Sequence, residues 1–176
     1  MLTFRDYLYY AEKYLRLAED ELENSSDIAW LLIPATVLAW AAIESFVNNR
    51  LSDYGSLPED LFELHERAFL LEKRIRFVDS GNKIGQFILE GTEYRKLEEK
   101  IFFLIAKFSS QRGHNIRGGS LWQDFQRFKE DRDALVHPRL TKDVSLDIGK
   151  VRNHIETSKR VIQMISRYIW NKEVDF

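Results

Sequence analysis

The residues best equipped for chemistry lie in one stretch, Arg132-Asp133-Ala134-Leu135-Val136-His137, together with one distant acid, Glu44. Arginine supplies a permanent cation suited to phosphate, and histidine is the side chain that exchanges protons near neutral pH. Taken as helix at about 100° per residue with Arg132 as zero, Phe125 falls near +20°, Leu121 near −20°, Phe128 near −40° and Val136 near +40°. Arg132 is therefore expected at the centre of an apolar stripe. A guanidinium there must meet an anion or a polar cavity, because an unpaired buried charge is costly. Glu44 is the only charged residue between Ile28 and Asn49, which makes it the expected protein partner. Two readings stay open: a Glu44–Arg132 pair that fixes helix register, or an Arg132 held at a pocket wall to meet a ligand phosphate, with Glu44 orienting it.

His137 lies about 140° around the helix from Arg132, so one helix does not aim both side chains at one atom. Pro138 biases His137 out of helical geometry, and a two-fold dimer could bring Arg132 and His137 of both chains to a shared cleft. Asp133 could orient His137 or a water. The plainer reading of His137 is a helix-end histidine favoured by the dipole.

Other motifs fail on spacing. Gly113-His114-Asn115-Ile116-Arg117-Gly118-Gly119-Ser120 fits a phosphate-binding loop except that Gly119 replaces the lysine, and the segment before it reads as helix rather than strand. A di-iron bundle needs Glu three residues before His. Phe62, Gln111, Ala134 and Val151 stand there instead, before His65, His114, His137 and His154. His65-Glu66 has Phe69 where a zincin needs its second histidine. We expect no metal and no cofactor.

Composition narrows the chemistry further. The 176 residues contain no cysteine, which excludes disulfide scaffolds, thiolate metal sites and cysteine nucleophiles. The net charge of −2 conceals an asymmetry: residues 1–106 hold 12 Lys/Arg and 19 Asp/Glu, and residues 107–176 hold 14 and 9. The first residues lack the basic and apolar regions of a secretory signal, so a mature, cytoplasmic chain is expected. The longest uncharged stretch, residues 28–43, contains Pro34 and ends at Glu44; at 16 residues it reads as a buried core helix rather than a membrane span.

The elements that position these groups read as helices almost throughout. In residues 4–23, Phe4, Tyr7, Tyr10, Ala11, Tyr14, Leu17, Ala18 and Leu22 recur at helical spacing. Ser25, Ser26 and Asp27 offer N-cap chemistry for a second helix running to about Leu51. A turn over residues 53–58 is followed by Pro58-Glu59-Asp60, which predicts a third helix reaching about Phe77. After a short piece at residues 84–88, a fourth helix is expected over residues 92–108. Ser120 should cap a fifth, ended by Pro138 after His137, and a last helix covers about residues 146–170. No stretch alternates with period two long enough to predict a sheet. The expected fold is all-α, an up-and-down bundle of five to six helices in a single domain, residues 1–176.

The Arg-x4-His stretch resembles the motif of the HEPN superfamily (higher eukaryotes and prokaryotes nucleotide-binding). Val37-Leu38-Ala39-Trp40-Ala41-Ala42-Ile43-Glu44-Ser45-Phe46-Val47-Asn48-Asn49 is similar to that family's acidic core helix. Asp133 stands where the family commonly has Asn. The resemblance implies a helical homodimer, often a metal-independent endoribonuclease and often a toxin of a toxin–antitoxin or phage-defence system. An antitoxin or a nucleotidyltransferase would then be its partner protein. By that analogy Arg132 stabilises a phosphorane-like transition state and His137 transfers a proton at the 2′-hydroxyl or the leaving 5′-oxygen. The RNA supplies its own nucleophile, so a positioned cation and an acid/base suffice. The superfamily also contains inactive dimerisation and partner-binding modules, and a helical bundle binding a nucleotide or other small anion is a third reading.

Arg112, His114 and Arg117 occupy an acid-free loop before the motif, and Arg139 and Lys142 follow it. These are the candidate RNA-backbone contacts. Tyr7, Tyr9, Tyr10 and Tyr14 could stack bases, although their helical spacing also suits a core or a dimer interface.

Overall fold

The computed structural model describes residues 2–22, 27–109, 116–137 and 144–176. The protein is mostly helical, a helical bundle with six α-helices among the described residues. They are α1 (Phe4–Leu22), α2 (Ala29–Gly55), α3 (Leu64–Leu70), α4 (Leu97–Phe108), α5 (Ser120–Val136) and α6 (Ile148–Trp170). A two-stranded antiparallel hairpin, β1 (Arg74–Phe77) and β2 (Phe87–Glu90), lies between α3 and α4. The chain divides into two compact units, one of Met1–Phe46 with Ile105–Phe176, the other of Val47–Leu104.

In the first unit, α1 and α5 both pack on α6. Thr3 and Asp6 start α1: Asp6 Oδ2 accepts from the Thr3 backbone N at 2.7 Å and from Thr3 Oγ1 at 2.8 Å, tying up amide groups at the helix entrance. The buried stripe of α1 is Phe4, Leu8, Ala11, Leu15 and Ala18. This differs from the tyrosine-bearing stripe expected. Leu17 and Leu22 face outward, and Tyr9 and Tyr10 are exposed against one another with ring centroids 5.4 Å apart. Two overlapping three- and four-residue patterns share Phe4, Ala11 and Ala18 in this helix, and the one completed by Leu8 and Leu15 rather than by the tyrosines is the one buried. Asp27 Oδ1 accepts from Ala29 N at 3.3 Å at the head of α2; Ser25 and Ser26 lie outside the described residues. Pro34 sits inside α2, where it removes one helical donor. Asp147 caps α6 by accepting from Lys150 N at 2.8 Å, and Asn171 ends it in the left-handed conformation at φ 52°.

Among the described residues α2 is the one helix long and apolar enough to cross a membrane, with mean hydropathy 1.7 over the window concerned. More than half of that window, 56%, is buried inside the protein, and Leu31, Leu32, Ala35, Ala39 and Ile43 are all at or near full burial.

The second unit departs most from expectation. The second helix runs on to Gly55, through part of the expected turn. Pro58-Glu59-Asp60 leads only into a 3-10 turn over Glu59–Leu61, and α3 starts later, at a capping box in which Glu63 and Glu66 bond each other's backbone. It stops at Leu70 because Glu72 turns left-handed at φ 49°, with Lys73 N donating to Ala68 O at 2.8 Å. Residues 74–77 are strand, not helix, and α4 begins at Leu97 rather than near residue 92. The register pairs Ile75 with Leu89 and Phe77 with Phe87. At the end of the ladder Val78 bonds both Gly85 N (2.7 Å) and Gln86 O (2.9 Å), a bulge that requires φ of 82° at Gly85. A buried Lys100 joins Glu72 Oε1 and Asn48 Oδ1, each at 2.9 Å.

Candidate functional site

Three side chains of α5 decide the chemistry of its inner face. Phe125 and Phe128 are fully buried, and Asp131 is 8% exposed. Phe128 is therefore the centre of the buried stripe, with Arg132 about 40° to one side and Asp131 about 60° to the other. This corrects the expectation that Arg132 is central: the Arg132 side chain keeps 22% of its surface, and Val136 is 43% exposed.

Arg132 is held from both sides. Its Nη2 donates to Glu44 Oε1 at 3.1 Å, the partner expected from sequence, and its Nη1 donates to Asp133 Oδ1 at 2.8 Å. The same Glu44 oxygen accepts from Trp40 Nε1 at 2.8 Å, and the guanidinium carbon lies 5.4 Å from the Trp40 ring centroid, within cation–π range. Trp40 and Glu44 are one helical turn apart on α2, which is why one side chain can anchor the other. The indole in turn stacks on Phe125 at 5.1 Å and meets Phe128 edge-on at 5.2 Å. The cluster of one cation and two carboxylates carries a formal charge of −1. Glu44 and Asp133 are 39% and 43% exposed, so either can rotate into solvent and leave the guanidinium to an incoming anion.

His137 caps α5. Its backbone N donates to Asp133 O at 2.8 Å while its φ of −123° and ψ of 67° leave the helix, as a residue before proline should. Its side chain is exposed. Arg117 is exposed on a 3-10 turn ahead of α5. Arg112, His114, Arg139 and Lys142 lie outside the described residues. No group of three or more His, Cys, Asp or Glu able to hold a metal occurs among the described residues.

Sequence reasoning missed a second ionic cluster on the other flank of Phe128. Asp131 Oδ2 is 3.2 Å from His154 Nε2 and 2.9 Å from Lys150 Nζ, both on α6. His154 stacks on Phe128 at 4.5 Å and is 3% exposed. Burial holds its imidazole below the usual histidine pKa, opposed by the Asp131 charge and hydrogen bond. The signal in the sequence was slight: His154 and Lys150 stand four residues apart on one helical face, but nothing local says which acid meets them. In and beside this cluster are two fully buried polar atoms without a hydrogen-bond partner among the described residues, His154 Nδ1 and Thr157 Oγ1.

No family model, curated protein or solved structure matches the chain.

Proposed function

We propose that the protein is a metal-independent endoribonuclease of HEPN type, acting as a homodimer with Arg132 and His137 at a shared cleft. The observation that carries this reading is the placement of Arg132: fixed by Glu44, Asp133 and Trp40, yet with 22% of its side chain still exposed. A cation already oriented loses little freedom on meeting a phosphate, which is the condition for stabilising a transition state electrostatically. His137, exposed at the end of the same helix, is suited to proton transfer. Asp133 and Glu44 orient the arginine. In the wider proposal the chain is a cytoplasmic toxin of a toxin–antitoxin or phage-defence pair, restrained by an antitoxin or nucleotidyltransferase. The experiment is cleavage of single-stranded and loop RNA in EDTA by wild type, Arg132→Ala and His137→Ala. Cleavage with 2′,3′-cyclic phosphate ends, lost in both variants, is the expected result, and activity persisting in both overturns it.

One observation favours a second reading, a catalytically silent dimerisation or partner-binding module. Two carboxylates already satisfy Arg132, and a phosphate has to displace one of them against a local negative charge. Under this reading Arg132 and Glu44 matter for folding alone, and expression is not toxic.

A further inference from the structure

The β1–β2 hairpin carries an aromatic, cation-flanked face that nothing in the second unit covers among the described residues. Alternation along the strands puts Ile75, Phe77, Phe87 and Leu89 on one side, because the register pairs Ile75 with Leu89 and Phe77 with Phe87. Phe77 and Phe87 are 52% and 60% exposed, with ring centroids 5.4 Å apart. Residues 73–90 hold four Lys/Arg and two Asp/Glu. Arg76 pairs with Glu90, whereas Lys73, Arg74 and Lys83 have no ion pair among the described residues. Two strands with an open apolar face are marginal by themselves, so the exposed rings call for a function other than packing.

We infer that this hairpin is a stacking platform for single-stranded nucleic acid, with bases on the Phe77 and Phe87 rings and phosphates on Lys73 and Lys83, Arg74 belonging to the opposite face of the ladder. Charge and size both select this occupant. Each Phe offers about 150–250 Å² in all, so the half-exposed pair presents roughly 200 Å². That is far short of the ~800 Å² each partner gives to a stable protein interface, but enough for two bases, one per ring. An anionic lipid surface would face the whole second unit, which holds nine Lys/Arg against eleven Asp/Glu, whereas a single strand meets only the hairpin's local positive charge. Gly81 and Gly85, at φ 78° and 82°, turn the chain between the two strands, and Lys83 is exposed in that turn. The inference rests on the RNA reading only for the identity of the strand as RNA.

The test is fluorescence anisotropy of the full chain with a labelled 2′-O-methyl oligonucleotide of twelve residues, which lacks the nucleophile for cleavage and so separates binding from catalysis. Phe77→Leu and Phe87→Leu keep the face apolar but remove the stacking surface. Each is expected to weaken binding by about 5- to 100-fold, with circular dichroism unchanged. Lys83→Glu, at an exposed turn, should weaken binding and flatten its salt dependence. Unchanged affinity in both leucine variants overturns the inference. So does association with phosphatidylserine vesicles, or with a second copy of the chain, that the leucine variants leave intact while the oligonucleotide fails to bind wild type. Loss of RNA cleavage with oligonucleotide binding intact would instead count against the endoribonuclease reading alone.

Discussion

Arg132 Nη2 donates to Glu44 Oε1 at 3.1 Å across 88 residues of sequence, and Trp40 Nε1 binds the same oxygen at 2.8 Å. Because Trp40 is itself wedged between Phe125 and Phe128, the apolar core of the first unit sets the position of the cation at its surface. The pair is neither sealed nor free, and both its energetics and its chemistry follow from that intermediate state.

A fully buried ion pair loses about 3–5 kcal/mol when one partner is removed. With Glu44 39% and Arg132 22% exposed, water relieves much of that penalty. Arg132→Met should destabilise the protein by about 1–2 kcal/mol and Glu44→Gln, which retains an acceptor for Trp40, by less than about 1 kcal/mol. Urea titration of each variant measures this.

His137→Ala should leave the unfolding free energy from urea titration within about 0.5 kcal/mol of wild type, since the side chain is exposed. On the proposed mechanism it lowers RNA cleavage by about 10²–10⁴-fold. Stability and activity measured on the same preparation separate this histidine from a merely structural one.

The buried His154 predicts a pH dependence of stability. Its folded pKa lies below the ordinary value near 6.5 because burial penalises the imidazolium more than Asp131 supports it; Lys150 adds to the penalty and Asp147 opposes it. The unfolded chain then binds the proton more readily. The contribution is complete above about pH 6.5 and is lost as pH falls from there through the folded pKa, at no more than about 1.4 kcal/mol per pH unit. His154→Gln, which keeps a hydrogen bond to Asp131 but does not titrate, should flatten urea midpoints compared between pH 7.5 and pH 5.5.

Thr157 is fully buried, and its hydroxyl has no partner among the described residues. Thr157→Val keeps the shape and removes the desolvation penalty, so it should raise stability by about 1 kcal/mol, visible as a higher thermal midpoint. Phe128→Ala, which removes the ring between the Arg132 and His154 clusters, should cost about 3–5 kcal/mol.

Much of this protein is local and therefore readable from sequence. Helical periodicity places α1, α2, α5 and α6, because each is long enough for its 3.6-residue pattern to repeat several times, although the cap expected at Ser120 falls on Gly119, with no side-chain bond. Glu44 was identifiable as the partner of Arg132 by elimination, since a long apolar helix offered no other charge. What the tertiary structure alone decided are matters of facing. Two stripes compete on α1, and packing on α6 selects the one completed by Leu8 and Leu15 over the one completed by tyrosines. On α5 the helix rotates until Phe128 is innermost, which leaves Arg132 at the border with water and turns Asp131 toward His154 and Lys150. Arg74-Ile75-Arg76-Phe77 alternates for only four residues, too few to outweigh the helical pattern around it. It becomes a strand because Glu72 reverses the chain and Phe87-Ile88-Leu89-Glu90, ten residues beyond, returns to pair with it. A sequence pattern states which side of an element is apolar; which neighbour lies there, and how much water remains, depends on chain segments far apart in sequence coming together.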